Sequence, residues 1–416
     1  MLAAWFPVPM GGPSDVVLET AASIPWDKLG PRPLCDGCLG RLLGKAGHGL
    51  TNPERGLALR ARFGVPTGGP CWVCGGLLDE LGKFAGLVAE NFAPWEFRTF
   101  LVGSKVDPEV SAREEALWTE LGARHAEPIK SELNREIGKR VERRLGKVAE
   151  FAHPDIVAIV DTAFDSVSVQ VNPIFIYGRY RKLVRGIPQT RWPCRRCQGR
   201  GCEHCGGRGK MYETSVEEIV AAAVMAQTGG TAHALHGLGR EDVDARMLGR
   251  GRPFIVEVKE PVRRTVDLAK VAVLVNASGQ VEVEGLRPSG GAEVVALKED
   301  RAGKAYAVRV RFASPVDDGK LKSAVASLVG RPIAQRTPAR VSHRRADRTR
   351  ERVVTGIEVT RSGGATADLR VTAEAGTYVK EFVHGDRGRT SPSLAEALGV
   401  ACEVVELDVL DILDTE

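Results

Sequence analysis

The stretch from His236 to Phe254 gathers side chains that can do chemistry. It reads His-Gly-Leu-Gly-Arg-Glu-Asp-Val-Asp-Ala-Arg over 236–246 and Leu-Gly-Arg-Gly-Arg-Pro-Phe over 248–254. Its glycines permit tight turns and close approach to a ligand. Its arginines carry guanidinium forks that match phosphate oxygens. Asp242 and Asp244 are the odd feature, because a site that only holds an anion has no use for carboxylates. A site that grips a nucleic-acid backbone while a carboxylate attacks the nucleotide does use them. The same spacing also suits a solvated, salt-bridged turn, since short motifs recur by chance.

Eight of the nine cysteines fall in four Cys-x-x-Cys pairs: Cys35 and Cys38, Cys71 and Cys74, Cys194 and Cys197, Cys202 and Cys205. In a chain of intracellular character such pairs read as metal ligands rather than disulfides. The first two pairs frame a basic helical insert, Pro53 to Phe63, and supply four thiolates to one tetrahedral zinc. Redox or iron–sulfur roles are the alternatives; redox is disfavoured because no thioredoxin-like strand pattern flanks either pair. Four thiolates leave no open coordination position, so this zinc is structural. The later four cysteines suggest a second zinc, in tighter geometry because the linker between the pairs is short. Cys402 stands alone in an apolar stretch and reads as a small core residue.

The surrounding chain must position these groups. Its 416 residues suggest two or three domains. Hydrophobic residues at 43% and charged residues at 27% are ordinary for a globular protein. No apolar run approaches a membrane span, and Leu2 to Phe6 is too short and lacks the basic flank of a signal peptide. The expectation is a cytoplasmic protein with no membrane partner. The net charge of +5 and pI near 8.7 are modest, so local basic faces matter more than the total.

Leu77, Leu78, Leu81, Phe84, Leu87 and Val88 recur at helical spacing. Phe97 to Val102 reads as a strand, and Ser111 to Leu121 and Ser131 to Leu145 as helices. The last carries Arg135, Lys139, Arg140, Arg143 and Arg144, with Lys147 just beyond. Such a run is usually a solvated face; here it leans towards RNA contact. Asp155 to Asp161 and Ser166 to Val171 alternate as two strands. They lead into Pro173-Ile-Phe-Ile-Tyr-Gly-Arg-Tyr180, where Arg179 and Arg181 interleave with aromatics as RNA contacts do. Thr214 to Glu217 reads as a capping box opening a helix through Met225. A strand at Phe254 to Val258, a helix from Arg264 to Val275 and a strand at Val281 to Leu286 follow. Lys304 to Val310 reads as a strand with Tyr306 on one side, and an ordinary strand aromatic is the plain alternative. Gln335 to Arg348, with Arg336 and Arg340, is the most basic stretch and reads as an RNA-gripping loop. His343 in it could be a general base, but among so many arginines it reads as a phosphate contact.

Gly239-Arg240-Glu241-Asp242 resembles the Gly-Arg-x-Asp motif of pseudouridine synthases, whose Asp is the nucleophile. The block through Arg252-Pro253-Phe254 resembles more narrowly the archaeal tRNA pseudouridine 54/55 synthases. Gly376 to Thr390 resembles their Tyr-[Ile/Val]-[Lys/Arg] motif, in which the base, here Lys380, pairs with the catalytic Asp. The aliphatic residue, here Val379, walls the pocket, and the tyrosine matched by Tyr306 stacks on the target base. Cys194 to Lys210 resembles the zinc units of Hsp40-type chaperones. The resemblance implies an α+β chain: an N-terminal zinc-containing THUMP-like RNA-binding domain, then a catalytic domain with a central antiparallel sheet. The expected divisions are a zinc-knuckle region at 1–94, the THUMP-like domain at 95–192, a zinc-ribbon-like insert at 193–210 and the catalytic domain at 211–416.

The implied catalytic residues are Asp242, Tyr306 and Lys380, and the implied substrate contacts are Arg240, Tyr306, Arg336, Arg340, Val379, Arg179 and Arg181. The reaction is isomerisation of uridine in tRNA at positions 54 and 55, with one or two structural zincs, no catalytic cofactor, and tRNA as the partner of a monomer. A zinc-dependent RNA-binding or chaperone-like module is the rival; it accounts for the cysteines and arginines but not for the acid, tyrosine and lysine motifs.

Overall fold

The computed structural model describes residues 12–66, 68–344 and 346–413, and the side chains of all of these but His343 and Arg344. Leu2 to Phe6, Arg345 and the His343 side chain read above lie outside what is described. The chain divides into two compact units, one ending at Asn172 and one beginning at Pro173.

The first unit opens with helices α1 (Pro13–Ala21), α2 (Asp36–Arg41), α3 (Asn52–Phe63) and α4 (Leu81–Phe92). A small α/β layer follows: β1 (Thr99–Lys105), α5 (Pro108–Leu121), α6 (Ile129–Leu145), β2 (Val148–Ala149), β3 (Ile156–Asp161) and β4 (Ser166–Val171). The sheet order is β2-β1-β3-β4, with β1 parallel to β2 and β3, and β4 antiparallel to β3. The basic insert is α3; Thr51 caps it through a box with Glu54, and left-handed Gly64 ends it. α2 and α3 meet at glycines: a Cβ on Gly40 would overlap the Asn52 carbonyl, and one on Gly56 the Asp36 carbonyl. That close approach brings the first cysteine pair beside the helix framed by both pairs. α6 buries Ile129, Leu133, Ile137 and Val141 at four-residue spacing. Its basic residues turn outward and several are paired within the unit, Arg140 with Glu136 at 3.0 Å for example. The Hsp40-type chaperones whose zinc units the later cysteines resemble mark their J domain with His-Pro-Asp. That tripeptide occurs here at 153–155, where Asp155 accepts from the backbone N–H groups of Arg98 and Thr99 and so pins the start of β1.

The second unit is built on one large sheet. Its elements are β5 (Ile174–Lys182), α7 (Val216–Thr228), β6 (Ala232–Gly237), β7 (Met247–Lys259), α8 (Leu268–Asn276), β8 (Val281–Ser289) and α9 (Gly291–Glu299). Then come β9 (Gly303–Phe312), α10 (Asp318–Leu328), β10 (Pro332–Arg336), β11 (Thr349–Ser362), β12 (Thr366–Ala373), α11 (Val379–His384), β13 (Thr390–Ser391), α12 (Leu394–Leu398) and β14 (Cys402–Leu413). The strand order is β13-β10-β11-β12-β9-β14-β7-β5-β8, with β6 paired to β7. The sheet is mixed rather than antiparallel throughout, because β14 and β7 run parallel where Val409 meets Met247.

Three expectations change. β5, read as the end of the RNA-binding domain, lies in this sheet between β7 and β8; an alternating strand has the same pattern whichever sheet it joins. The second unit therefore begins at Pro173, not at 193 or 211, and includes the later cysteines. Ser215, not Thr214, caps α7, accepting from the Glu218 N–H. Tyr378-Val379-Lys380 opens α11. Cys402 is buried as expected, and burial pushes its thiol up to about 11. Among the described residues no helix is long and apolar enough to cross a membrane.

Candidate active site

The acidic motif lies in the loop between β6 and β7. β6 ends at Gly237, and Gly239 takes a left-handed φ of 72° that turns the chain. Beneath the loop lies a fully buried charge network. The Arg252 side chain on β7 is 0% exposed; its Nε donates to Glu241 Oε2 at 2.9 Å and its Nη1 to the Leu238 carbonyl at 2.6 Å. The Tyr180 hydroxyl donates to Glu241 at 2.9 Å, and Gln189 Nε2 donates to that hydroxyl at 2.8 Å and to the Gly239 carbonyl at 3.0 Å. Lys182 Nζ donates to the carbonyls of Ile187, Asp242 and Val243 at 2.9, 3.1 and 3.3 Å. The backbone on both sides of Asp242 is thus tied down by buried donors, so the carboxylate is held in place before any ligand arrives.

Asp242 opens into a cavity of about 250 Å³ that also presents Arg240, Lys304, Tyr306, Arg340, Val379 and Lys380. Arg240 comes from the same loop, and the others come from β9, from the short 3-10 turn at Ala339–Arg344 and from α11. Arg340 Nη1 donates to Asp242 Oδ1 at 3.2 Å, and Lys380 Nζ lies 3.3 Å from Asp242 Oδ2. Burial raises the Asp242 pKa, but the Arg340 and Lys380 charges outweigh it and hold the carboxyl below its ordinary value. Lys380 also donates to Asp244 at 2.8 and 2.9 Å. The Asp244 side chain is 70% exposed against 35% for Asp242, so Asp244 stands at the rim and Asp242 faces the cavity. Burial pushes the Tyr306 phenol up to about 12, which keeps it protonated at neutral pH. Burial, then the Arg252 charge, brings Lys304 down to about 8. A buried aromatic face, an ionised carboxylate and the two cations paired with it therefore share one small cavity.

Not every candidate is there. Arg240 lines the cavity and stacks its guanidinium over Trp192, 5.6 Å from the ring centre. Val379 walls it, buried at the start of α11. Arg336 is turned away, its Nε bonded to Asp347 at 2.9 and 3.0 Å. Arg179 donates to the carbonyls of Arg250 and Gly251, and Arg181 pairs with Glu282 at 2.9 Å. Arg179 and Arg181 thus contact the neighbours of β5, and they lie within the large sheet of the second unit rather than ahead of it. Sequence reasoning missed Glu241, Arg252, Lys182, Gln189 and Lys304. One signal was available: Lys182 shares its strand face with Ile176 and Tyr180, so a lysine was facing the core.

Each later and earlier set of cysteines converges. The sulfurs of Cys35, Cys38, Cys71 and Cys74 all lie within 4.8 Å of one another, as do those of Cys194, Cys197, Cys202 and Cys205, and either set can hold a metal ion. The first set is part of the main core of its unit, whereas the second forms a small cluster of its own. A larger cavity, about 820 Å³, lies in the first unit and is lined by Cys35, Arg55, Arg60, Glu132 and Arg135 among others.

Two family models match the chain: Pus10, C-terminal, over residues 175–413, and Pus10 THUMP domain, archaeal, over residues 84–161. Proteins named tRNA pseudouridine synthase Pus10 are similar over most of its length. That of Methanothrix thermoacetophila is 42% identical, with 92% of each chain covered. That of Halorubrum lacusprofundi is 44% identical over 95% of this chain and 96% of the relative. That of Pyrococcus furiosus is 39% identical over 96% of this chain and 98% of the relative.

Proposed function

This chain belongs to the Pus10 family of tRNA pseudouridine synthases, and on that premise we propose that it isomerises uridine in the TΨC arm of tRNA, at positions 54 and 55, with Asp242 as the nucleophile. The observation that carries this reading is an ionised Asp242 facing a small cavity between Arg340, Lys380 and the Tyr306 ring. The carboxylate attacks the nucleotide, at the sugar or at the base, and a covalent intermediate divides one hard step into two easier ones. The N1–C1′ bond breaks, the uracil turns, C5 bonds to C1′, and the bond to Asp242 breaks, returning its electron pair to the carboxylate. The C5 proton leaves to solvent and N1 takes one up, so atoms and electrons balance without a redox partner. Tyr306 stacks on the extruded base, Val379 walls the opposite side, and Arg240 and Arg340 meet the flanking phosphate and sugar. Lys380 holds Asp242 ionised together with Arg340.

Both four-cysteine sets fit structural zinc, since four thiolates within 4.8 Å complete a tetrahedral shell. The outward basic face of α6 suits RNA phosphate.

The test is tritium release from tRNA carrying 5-labelled uridine. Asp242→Asn is near-isosteric and leaves folding intact, so release is expected to vanish while tRNA affinity stays near that of the parent. Asp244→Asn is expected to keep most activity. If Asp242→Asn remains fully active and Asp244→Asn does not, the nucleophile is misassigned. Mapping the product to another arm of the tRNA overturns the substrate position alone.

A further inference from the structure

The later cysteines belong to a tandem repeat that the reaction does not use. Cys194-Arg-Arg-Cys-Gln-Gly-Arg-Gly201 is followed at once by Cys202-Glu-His-Cys-Gly-Gly-Arg-Gly209, the pattern Cys-x-x-Cys-x-Gly-Arg-Gly twice. The structure folds the copies about a pseudo-twofold relation. The Gly201 N–H donates to Cys197 Sγ at 3.2 Å, and the Gly209 N–H to Cys205 Sγ at 3.2 Å. A Cβ on Gly201 would strike the Gly207 carbonyl, and one on Gly209 the Gly199 carbonyl, which are equivalent positions with the copies exchanged. Arg200 Nε donates to the Cys197 carbonyl at 3.2 Å, and Arg208 Nε to the Cys205 carbonyl at 3.1 Å. Each copy thus anchors one guanidinium by its Nε on an exposed residue.

We propose that this double knuckle is an RNA-backbone clamp beside the catalytic cavity, with Arg200 and Arg208 as its paired phosphate ligands and Arg195 and Arg196 as flanking charges. Residues 191–210 hold six basic side chains and one acid, Glu203. Among the described residues none of Arg195, Arg196, Arg200 and Arg208 is paired with a carboxylate; Lys210, by contrast, meets Glu218 at 2.6 Å. Neutralising the thiolates would be another use for these arginines, but Arg200 and Arg208 bond carbonyls while backbone N–H groups serve the sulfurs. A guanidinium fixed at Nε presents its fork with little ordering left to lose, which suits a phosphate. The clamp is also seated on the catalytic loop. Its stem closes through the Met211 N–H and the Trp192 carbonyl, Trp192 packs edge-on to Tyr212, and Arg240 of the catalytic motif lies over the Trp192 ring. RNA held by the knuckle is therefore held next to Arg240 and Asp242.

The inference rests on tRNA being the substrate, not on which uridine is modified or which carboxylate attacks. The experiment is tRNA binding by the full chain at several salt concentrations, with an unmodified transcript as probe. For the Arg200→Gln/Arg208→Gln double variant the affinity is expected to fall ~10-fold near physiological salt. The slope of log K against log salt is expected to flatten by about 1.8, two phosphate contacts' worth. The loss appears in KM rather than in kcat. Metal content of the purified variant reports whether the knuckle is still folded. If metal is lost, Arg195→Gln/Arg196→Gln reads the same surface and is expected to flatten the slope as well. A parental slope and affinity in a metal-replete variant overturn the proposal and leave the arginines to a protein partner. Loss of tritium release in Asp242→Asn with an unchanged salt slope in the knuckle variants separates this failure from that of the catalytic reading.

Discussion

Arg41 in the first unit and Arg252 in the second are the largest fully buried side chains among the described residues, and they are set differently. Arg41 faces two carboxylates that are themselves enclosed, Glu114 and Glu132, and its Nη2 also donates to Cys38 Sγ at 3.2 Å. Arg252 faces one carboxylate, Glu241, which Tyr180 and a Lys182 ammonium 4.0 Å away also satisfy. Each leaves one nitrogen, Arg41 Nε and Arg252 Nη2, without a hydrogen-bond partner among the described residues. In the first unit the arginine neutralises charge that would otherwise be stranded beside the first four-cysteine set. In the second it fixes the loop that carries Asp242, with other groups sharing the electrostatic load. Equal burial therefore serves stability in one place and geometry in the other.

Arg41→Met should break the first arrangement most severely. Removing one member of a buried ion cluster typically costs about 3–5 kcal/mol, because the partners are left unpaired. Burial already pushes Glu132 up to about 7, above its ordinary 4.5. A carboxyl raised on folding contributes stability below its unfolded value and loses it as pH rises through the folded one. Without Arg41 the folded value climbs further, so the defect should be larger at pH 8 than at pH 5. Urea unfolding at the two pH values measures this; an equal loss at both would mean that Glu132 is not the stranded group.

Arg252→Met sharpens the contrast. Its stability loss should be smaller than that of Arg41→Met, since Lys182 and Tyr180 remain on Glu241. Its activity should nevertheless fall by roughly 100-fold, the scale expected when a reacting group is displaced by about an ångström. Unfolding and tritium release on one preparation decide it. A variant that unfolds early yet turns over normally would reverse the assignment of the two arginines.

Lys380→Met has the smallest expected effect. Asp242 is ionised above a depressed pKa, so the acid limb of activity lies below the ordinary carboxylate range. Removing Lys380 should move that limb upward by about one pH unit and no more, because Arg340 stays. A pH profile of tritium release reads the shift. An unmoved limb would mean that Arg340 alone sets the charge state, and that Lys380 serves Asp244.

Local chemistry was legible from residue types alone. Four Cys-x-x-Cys pairs announced two convergent cysteine sets that can each hold a metal ion, because ligand convergence depends on spacing within a few residues. The helix at 52–63, the alternation of β3 and β4, and the acidic motif were visible for the same reason: cap, period and turn are each decided within one short window. Resemblance then brought Tyr306 and Lys380 to Asp242. What the tertiary structure decided was partnership. Lys380 reaches Asp244 across 136 positions, and Arg340 reaches Asp242 across 98. Arg336, only four positions before Arg340 and of the same type, turns to Asp347 instead. β5 joined the catalytic sheet rather than the small one before it, though its alternation suited both. Periodicity says which face of a strand is apolar, and composition says that a charge exists; neither carries the long-range geometry that chooses which buried carboxylate each arginine must neutralise.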